Sequence, residues 1–212
     1  MRKIMQGKTS KHIAVFMSML VFMVAVITVS FTSGSKNTKP KPVATKDSVA
    51  SVKAFMTVYK VLTNTRCMNC HPAGDSPLQG DDSHIHKMNV KRGVDGKGLY
   101  ALRCSNCHQA QNTPGLHMPP GNPHWQLPPA NMKMVFQGRS PRQLALQLLD
   151  PKQNGGRTTA QLIDHMANDP LVGWAWNPGD GRTPPPISRA QMAAQVRLWI
   201  AKGAYAPDAK AK

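Results

Sequence analysis

The chain has 212 residues, with 27 Lys and Arg against 10 acidic residues and a formal net charge of +17. That length admits one ordinary domain or two small ones once any targeting segment is set aside. The basic charges are dispersed rather than gathered into a run that would track phosphates, which, with the export inferred next, argues against a nucleic-acid partner.

At the N-terminus Arg2, Lys3, Lys8 and Lys11 come with no acid, and nineteen uncharged, mostly apolar residues follow from Ile13 to Phe31. This is either a cleaved export signal or a membrane anchor. A signal's apolar stretch is ~7–15 residues and a spanning helix needs roughly 20, so residues 1–32 stand nearer the anchor. The exit, Thr28-Val-Ser-Phe-Thr-Ser-Gly, has no clean cleavage triplet. Positive charge ahead of the run keeps the N-terminus in the cytoplasm and sends the remainder across. The expected location is the periplasm, whether secreted or tethered to the inner membrane. From Lys36 onward 23 Lys and Arg face 10 Asp and no Glu. Such a field draws an acidic docking face or an anionic membrane surface.

Residues 33–46 are polar, contain proline and lack apolar periodicity, which predicts a flexible linker. Order is expected to begin at the N-cap pair Asp47-Ser48, with Val49, Val52, Phe55, Tyr59 and Leu62 on the apolar face of a helix running into Cys67. Leu99-Tyr-Ala-Leu102, after Gly98, reads as a second short helix leading into Cys104. The two approaches align, since Leu62 and Leu99 lie five residues before a Cys and Arg66 and Arg103 lie one before. Thr113–Pro129 holds six prolines and two glycines and reads as irregular loop. Ser140-Pro141 opens a helix with Leu144, Leu148 and Leu149 on one face, and another helix fits Thr159–Asn168. Asp169–Pro186 returns to loop. Ser188 then caps a last helix carrying Met192, Val196, Trp199 and Ile200, which Gly203 ends. No sustained strand alternation appears, so the predicted fold is mainly α, a single domain over residues 47–207 with long Pro/Gly-rich loops and a short tail, 208–212.

All four cysteines fall in two five-residue words, Cys67-Met-Asn-Cys70-His71 and Cys104-Ser-Asn-Cys107-His108. C-x-x-C-H is the attachment signal for haem c. Two thiols bond the two vinyl arms of one porphyrin, and the adjacent imidazole lies beneath the iron as proximal ligand. The cofactor prediction is therefore two covalent haems c, on Cys67 and Cys70 with His71, and on Cys104 and Cys107 with His108. A four-cysteine zinc site uses similar spacing, a redox dithiol predicts one such word in an α/β fold, and structural disulfides suit the compartment. None of these accounts for a histidine after both words.

Distal ligands are less determined. His84, His86, Met88, His117, Met118, His124, Met132, Met134 and His165 all supply suitable atoms. Met118 leads, because Leu-His-Met-Pro-Pro-Gly would hold a thioether rigidly, and His117 competes directly with it. For the other iron His86, Met134 and His165 stand level. Two histidines poise a haem at lower potential than a histidine and a methionine. Trp125, Trp174 and Trp176 lie in the loops, where they either cover haem edges or simply pack.

These features resemble the c-type cytochromes: a helix before each attachment word, a Met-Pro-Pro loop and a last helix reading Val196-Arg-Leu-Trp-Ile-Ala-Lys-Gly-Ala204. The longer pattern of Cys70-His-Pro-Ala-Gly-Asp, Met134-Val-Phe-Gln-Gly-Arg139 and Asn154-Gly-Gly-Arg157 is similar to exported bacterial proteins known as isoquinoline 1-oxidoreductase subunits, over roughly residues 55–207. That resemblance implies a cytochrome accepting electrons from a molybdenum hydroxylase. Nothing in the chain resembles a molybdopterin or flavin site. Only 33 residues separate Cys70 from Cys104, too few for a complete small domain around the first haem, so one cytochrome c-like domain is expected to hold both. Electron transfer is the leading expectation. A dihaem peroxidase-like enzyme with one open iron position is the alternative, with His117, His124 or Gln126 as acid/base help. A haem sensor would need an output module, which the chain lacks.

Overall fold

The computed structural model describes residues 46–209. The predicted export segment and nearly all of the predicted 33–46 linker fall outside these residues, as do the last three residues of the tail. Among the described residues no helix is long and apolar enough to cross a membrane.

Six α-helices dominate the described residues, joined by long loops and two short ladders. Helix α1 (Ser48–Leu62) starts where Asp47 accepts the Ala50 N–H at 3.0 Å. Its buried face is Ser51, Ala54, Phe55, Val58, Val61 and Leu62, rotated from the expected stripe. Val49 is solvent-exposed. The cause is α6 (Arg189–Ala201), whose close approach selects the small side chains Ser51 and Ala54. Ser51 donates to the Trp199 carbonyl at 3.0 Å and accepts from the Tyr205 N–H at 3.0 Å, while Phe55 and Trp199 meet at 4.7 Å between ring centroids.

Helices α3 (Pro141–Leu149), α4 (Thr159–Asn168) and α6 each open on a reciprocal cap, with Ser140 and Gln143, Thr158 and Gln161, and Ser188 and Gln191 as partners. Gly203 takes a φ of 112° while its own N–H bonds Ile200 and the Ala204 N–H bonds Trp199, so the predicted stop is a Schellman end. The core joins α1, α3, α4 and α6 through Phe55, Val58, Leu144, Leu148, Leu162, Val196 and Trp199, with Phe136 added from a loop.

Two expected elements differ. Within Asp169–Pro186, Asp169 caps a single turn, α5 (Pro170–Gly173), and a 3-10 turn follows over Trp174–Trp176. The approach to Cys104 is not helical but a two-residue ladder, β3 (Gly98–Leu99) with β4 (Leu102–Arg103). Gly98 and Tyr100 both sit at positive φ, which a helix forbids. A matching ladder, β1 (Leu78–Gln79) with β2 (His84–Ile85), lies between the words. Each strand is two residues long and so leaves no alternation to read.

Candidate functional site

The first word is helical. Helix α2 (Thr65–Met68), capped by Asn64, carries Cys67, and the turn continues so that the His71 N–H reaches the Met68 carbonyl at 3.0 Å. The four thiols are unbridged. Burial pushes the Cys67 thiol up to about 12, with Cys70 adding and Arg66 opposing, and pushes Cys70 up to about 11. Cys104 lies close enough to raise Cys70 further.

His71 is held from behind. Its Nδ1–H donates to the Met134 carbonyl at 2.7 Å, and Phe136 stacks on its face at 3.9 Å and 14°. The His71 carbonyl in turn accepts from the Phe136 N–H at 2.9 Å. Burial lowers the imidazole to about 4, which keeps it neutral, the state that ligates iron. With Nδ1 occupied, Nε2 is the free ring nitrogen.

The second word repeats this arrangement on unrelated elements. Cys104–Asn106 forms a 3-10 turn off the β3–β4 hairpin, and the His108 N–H bonds the Cys104 carbonyl at 2.9 Å. The His108 Nδ1–H donates to the Pro120 carbonyl at 2.7 Å, and Trp125 stacks on the ring at 4.5 Å and 14°. Trp174 meets Trp125 edge-on at 4.8 Å and donates to Asn112, whose same oxygen accepts the Gly121 N–H. Gly121 is required there, since a Cβ would collide with the Gln111 carbonyl. The proline loop therefore serves to seat His108. Of the loop tryptophans, Trp125 covers the proximal imidazole.

Carboxylate partners for this region are provided for. Arg66 and Arg92 are 4% and 1% exposed, Arg66 pairing with Asp81 and Arg92 with Asp75 at 3.8 Å, and each keeps a buried Nε without a hydrogen-bond partner. Such donors suit the propionates of a porphyrin. Unbridged paired thiols, a neutral backed imidazole and spare buried guanidinium donors together fit haem c at the first word, and the second word supplies the same thiol and imidazole set.

Comparison with family models, with curated proteins and with solved structures finds no match.

The remaining candidates separate by position. Met134 gives its backbone carbonyl to the proximal side of His71, and its side chain packs on the core. Met118 and His117 are exposed, close in sequence to the Pro120 that backs His108; the Met118 carbonyl accepts from Arg182 and the His117 ring abuts Gly181. His165 pairs with Asp169 at 3.3 Å on α4 and lies within electrostatic reach of His71. His84 bonds Asp82 at 2.7 Å. His86 stands beside His108, with ring centroids 6.3 Å apart. The two backing carbonyls had no sequence signal, because backbone acceptors carry no residue identity; Arg92 was not singled out, and Phe136 entered only within the Met134–Arg139 pattern.

The aligned arginines differ sharply in setting. Arg66 is buried and donates to the Asp81 carboxylate and to the Gly80 carbonyl, tying the first word to the tip of the β1–β2 hairpin. Arg103 pairs with Asp95 at 2.9 Å with both side chains nearly half exposed. Arg66→Ala is therefore expected to lower stability by about 2 kcal/mol in denaturant unfolding, through the lost packing of a buried side chain and of its bonds to the hairpin tip, and Arg103→Ala by no more than about 1 kcal/mol.

Proposed function

We propose that the protein is an exported dihaem c-type cytochrome that transfers electrons, with both haems held in one helix-rich domain. The observation that carries this reading is the duplicated seat: two C-x-x-C-H words, each with its histidine Nδ1 on a backbone carbonyl at 2.7 Å and an aromatic ring stacked on its face. A metal-ligating histidine is ordinarily fixed this way. When bound, each haem supplies a one-electron ferric/ferrous couple. The chain's own residues supply the rest. His71 and His108 are pre-aimed, and the second word is the more open to solvent, Cys107 being exposed where the other three cysteines are half-buried. Electrons then enter or leave at the second word.

The surface there suits docking. Val94, Leu99, Tyr100 and Leu102 are exposed on or beside the hairpin that leads to Cys104, with Lys97 and Arg103 among them. A small apolar patch set in positive charge fits a redox partner with an acidic rim. The resemblance noted above supplies a molybdenum hydroxylase as the electron donor and the periplasm as the setting.

The test is intact mass and pyridine haemochrome on chain matured in an export-competent host, followed by cyanide and peroxide added to the oxidised protein. Two haems per chain and an unmoved low-spin spectrum are expected. Colourless protein of bare polypeptide mass overturns the reading. A rapid spectral shift with peroxide replaces electron transfer by the peroxidase-like alternative.

A further inference from the structure

Resting on the dihaem reading, we infer that His86 is the second axial ligand of the iron at the Cys104–Cys107 word, so that this haem is held between two histidines, His86 and His108. The rings of His86 and His108 lie 6.3 Å apart between centroids, with their planes at 65°. A metal bridging two imidazoles sits about 2 Å from each nitrogen, and each nitrogen lies roughly 1 Å from its ring centre, so a bridged pair has centroids ~6 Å apart. The other aromatic neighbours of the proximal histidines are face-stacked at 3.9 and 4.5 Å, a spacing that leaves no room for an atom between them.

The chain builds a support for this position. The β1–β2 hairpin pairs Leu78 with Ile85 and Gln79 with His84, and the His86 N–H continues it to the Pro77 carbonyl at 3.0 Å. Beyond His86 the chain turns, the Asn89 N–H reaching the His86 carbonyl at 2.9 Å. The hairpin tip is anchored at the first word: Arg66, just before it, bonds Asp81 and Gly80, and Asn69 within it donates to the Gly80 carbonyl at 2.9 Å. Thus the first attachment word fixes the ligand of the second. The Met88 N–H contact to His86 Nδ1 is long, 3.3 Å, and it opens when ligation through Nε2 moves the ring proton to Nδ1.

The rival donors turn elsewhere. The Met118 side chain lies over Gly115 and the His117 ring over Gly181, whereas His86 presents its ring to His108. Two consequences follow: this haem has no open position for peroxide, and its potential lies below that of a histidine–methionine haem.

The experiment compares exported holoprotein with His86→Ala and His86→Met variants by haemochrome, electron paramagnetic resonance and redox titration. All three are expected to carry two haems. In His86→Ala one of the two low-spin ferric signals is lost to a high-spin signal, and added imidazole restores it. In His86→Met one potential rises and the other stays. His86→Ala with two haems and both low-spin signals intact overturns the pairing alone. Wild-type chain without haem overturns the dihaem reading, and the pairing with it.

Discussion

Exchanging Cys67 and Cys70 for serine is expected to remove one haem and to cripple folding, whereas the same exchange at Cys104 and Cys107 removes one haem and leaves the helical core standing. The asymmetry comes from burial. Cys67 packs on the core cluster, and His71 is locked to Phe136, itself 5% exposed, by both a ring stack and a backbone bond. Serine at Cys67 sets a hydroxyl against the apolar core cluster, at about 1–3 kcal/mol before any lost porphyrin packing. The second word lies on an exposed hairpin and a proline loop outside that cluster. Intact mass, α-band absorbance and far-ultraviolet dichroism on the two double variants check this. Equal loss of helix in both would show that the core does not depend on the first word in particular.

Trp199→Ala is expected to cost about 3–5 kcal/mol, the usual range for an aromatic ring deleted from a core. For a domain of this size that lowers the thermal midpoint by roughly 10 °C or more. Trp199 is fully buried, meets Phe55 at 4.7 Å and donates through its indole N–H to the Tyr205 carbonyl at 3.0 Å. Its loss empties the seam between α1 and α6 and strips the Tyr205 carbonyl of its donor. Melting followed by dichroism at 222 nm, the helix band, reads the effect. A midpoint within a few degrees of wild type would mean that the α1–α6 seam collapses onto the vacancy.

Much of the helical framework was legible because its signals are local. Asp47, Ser140 and Ser188 start helices by accepting nearby N–H groups, and Gly203 ends one by adopting a φ other residues avoid. The phase of α1 was less so, since Ser51 and Ala54 face inward only because α6 approaches there. The run Leu99–Leu102 has the composition of a helical turn, but positive φ at Gly98 and Tyr100 bends it into a hairpin that seats Cys104 against the Lys97 carbonyl.

The two C-x-x-C-H words, the predicted export segment and the basic balance belong to the sequence alone, because each is a matter of which residue follows which. The tertiary structure decided what stands behind and before each histidine: Met134 and Pro120 through backbone carbonyls, Phe136 and Trp125 through stacked rings, and His86 across from His108. A carbonyl is the same at every residue, and a ligand opposite an iron arrives from a distant segment. Such partners are therefore selected by chain path and packing, which no short stretch of sequence encodes.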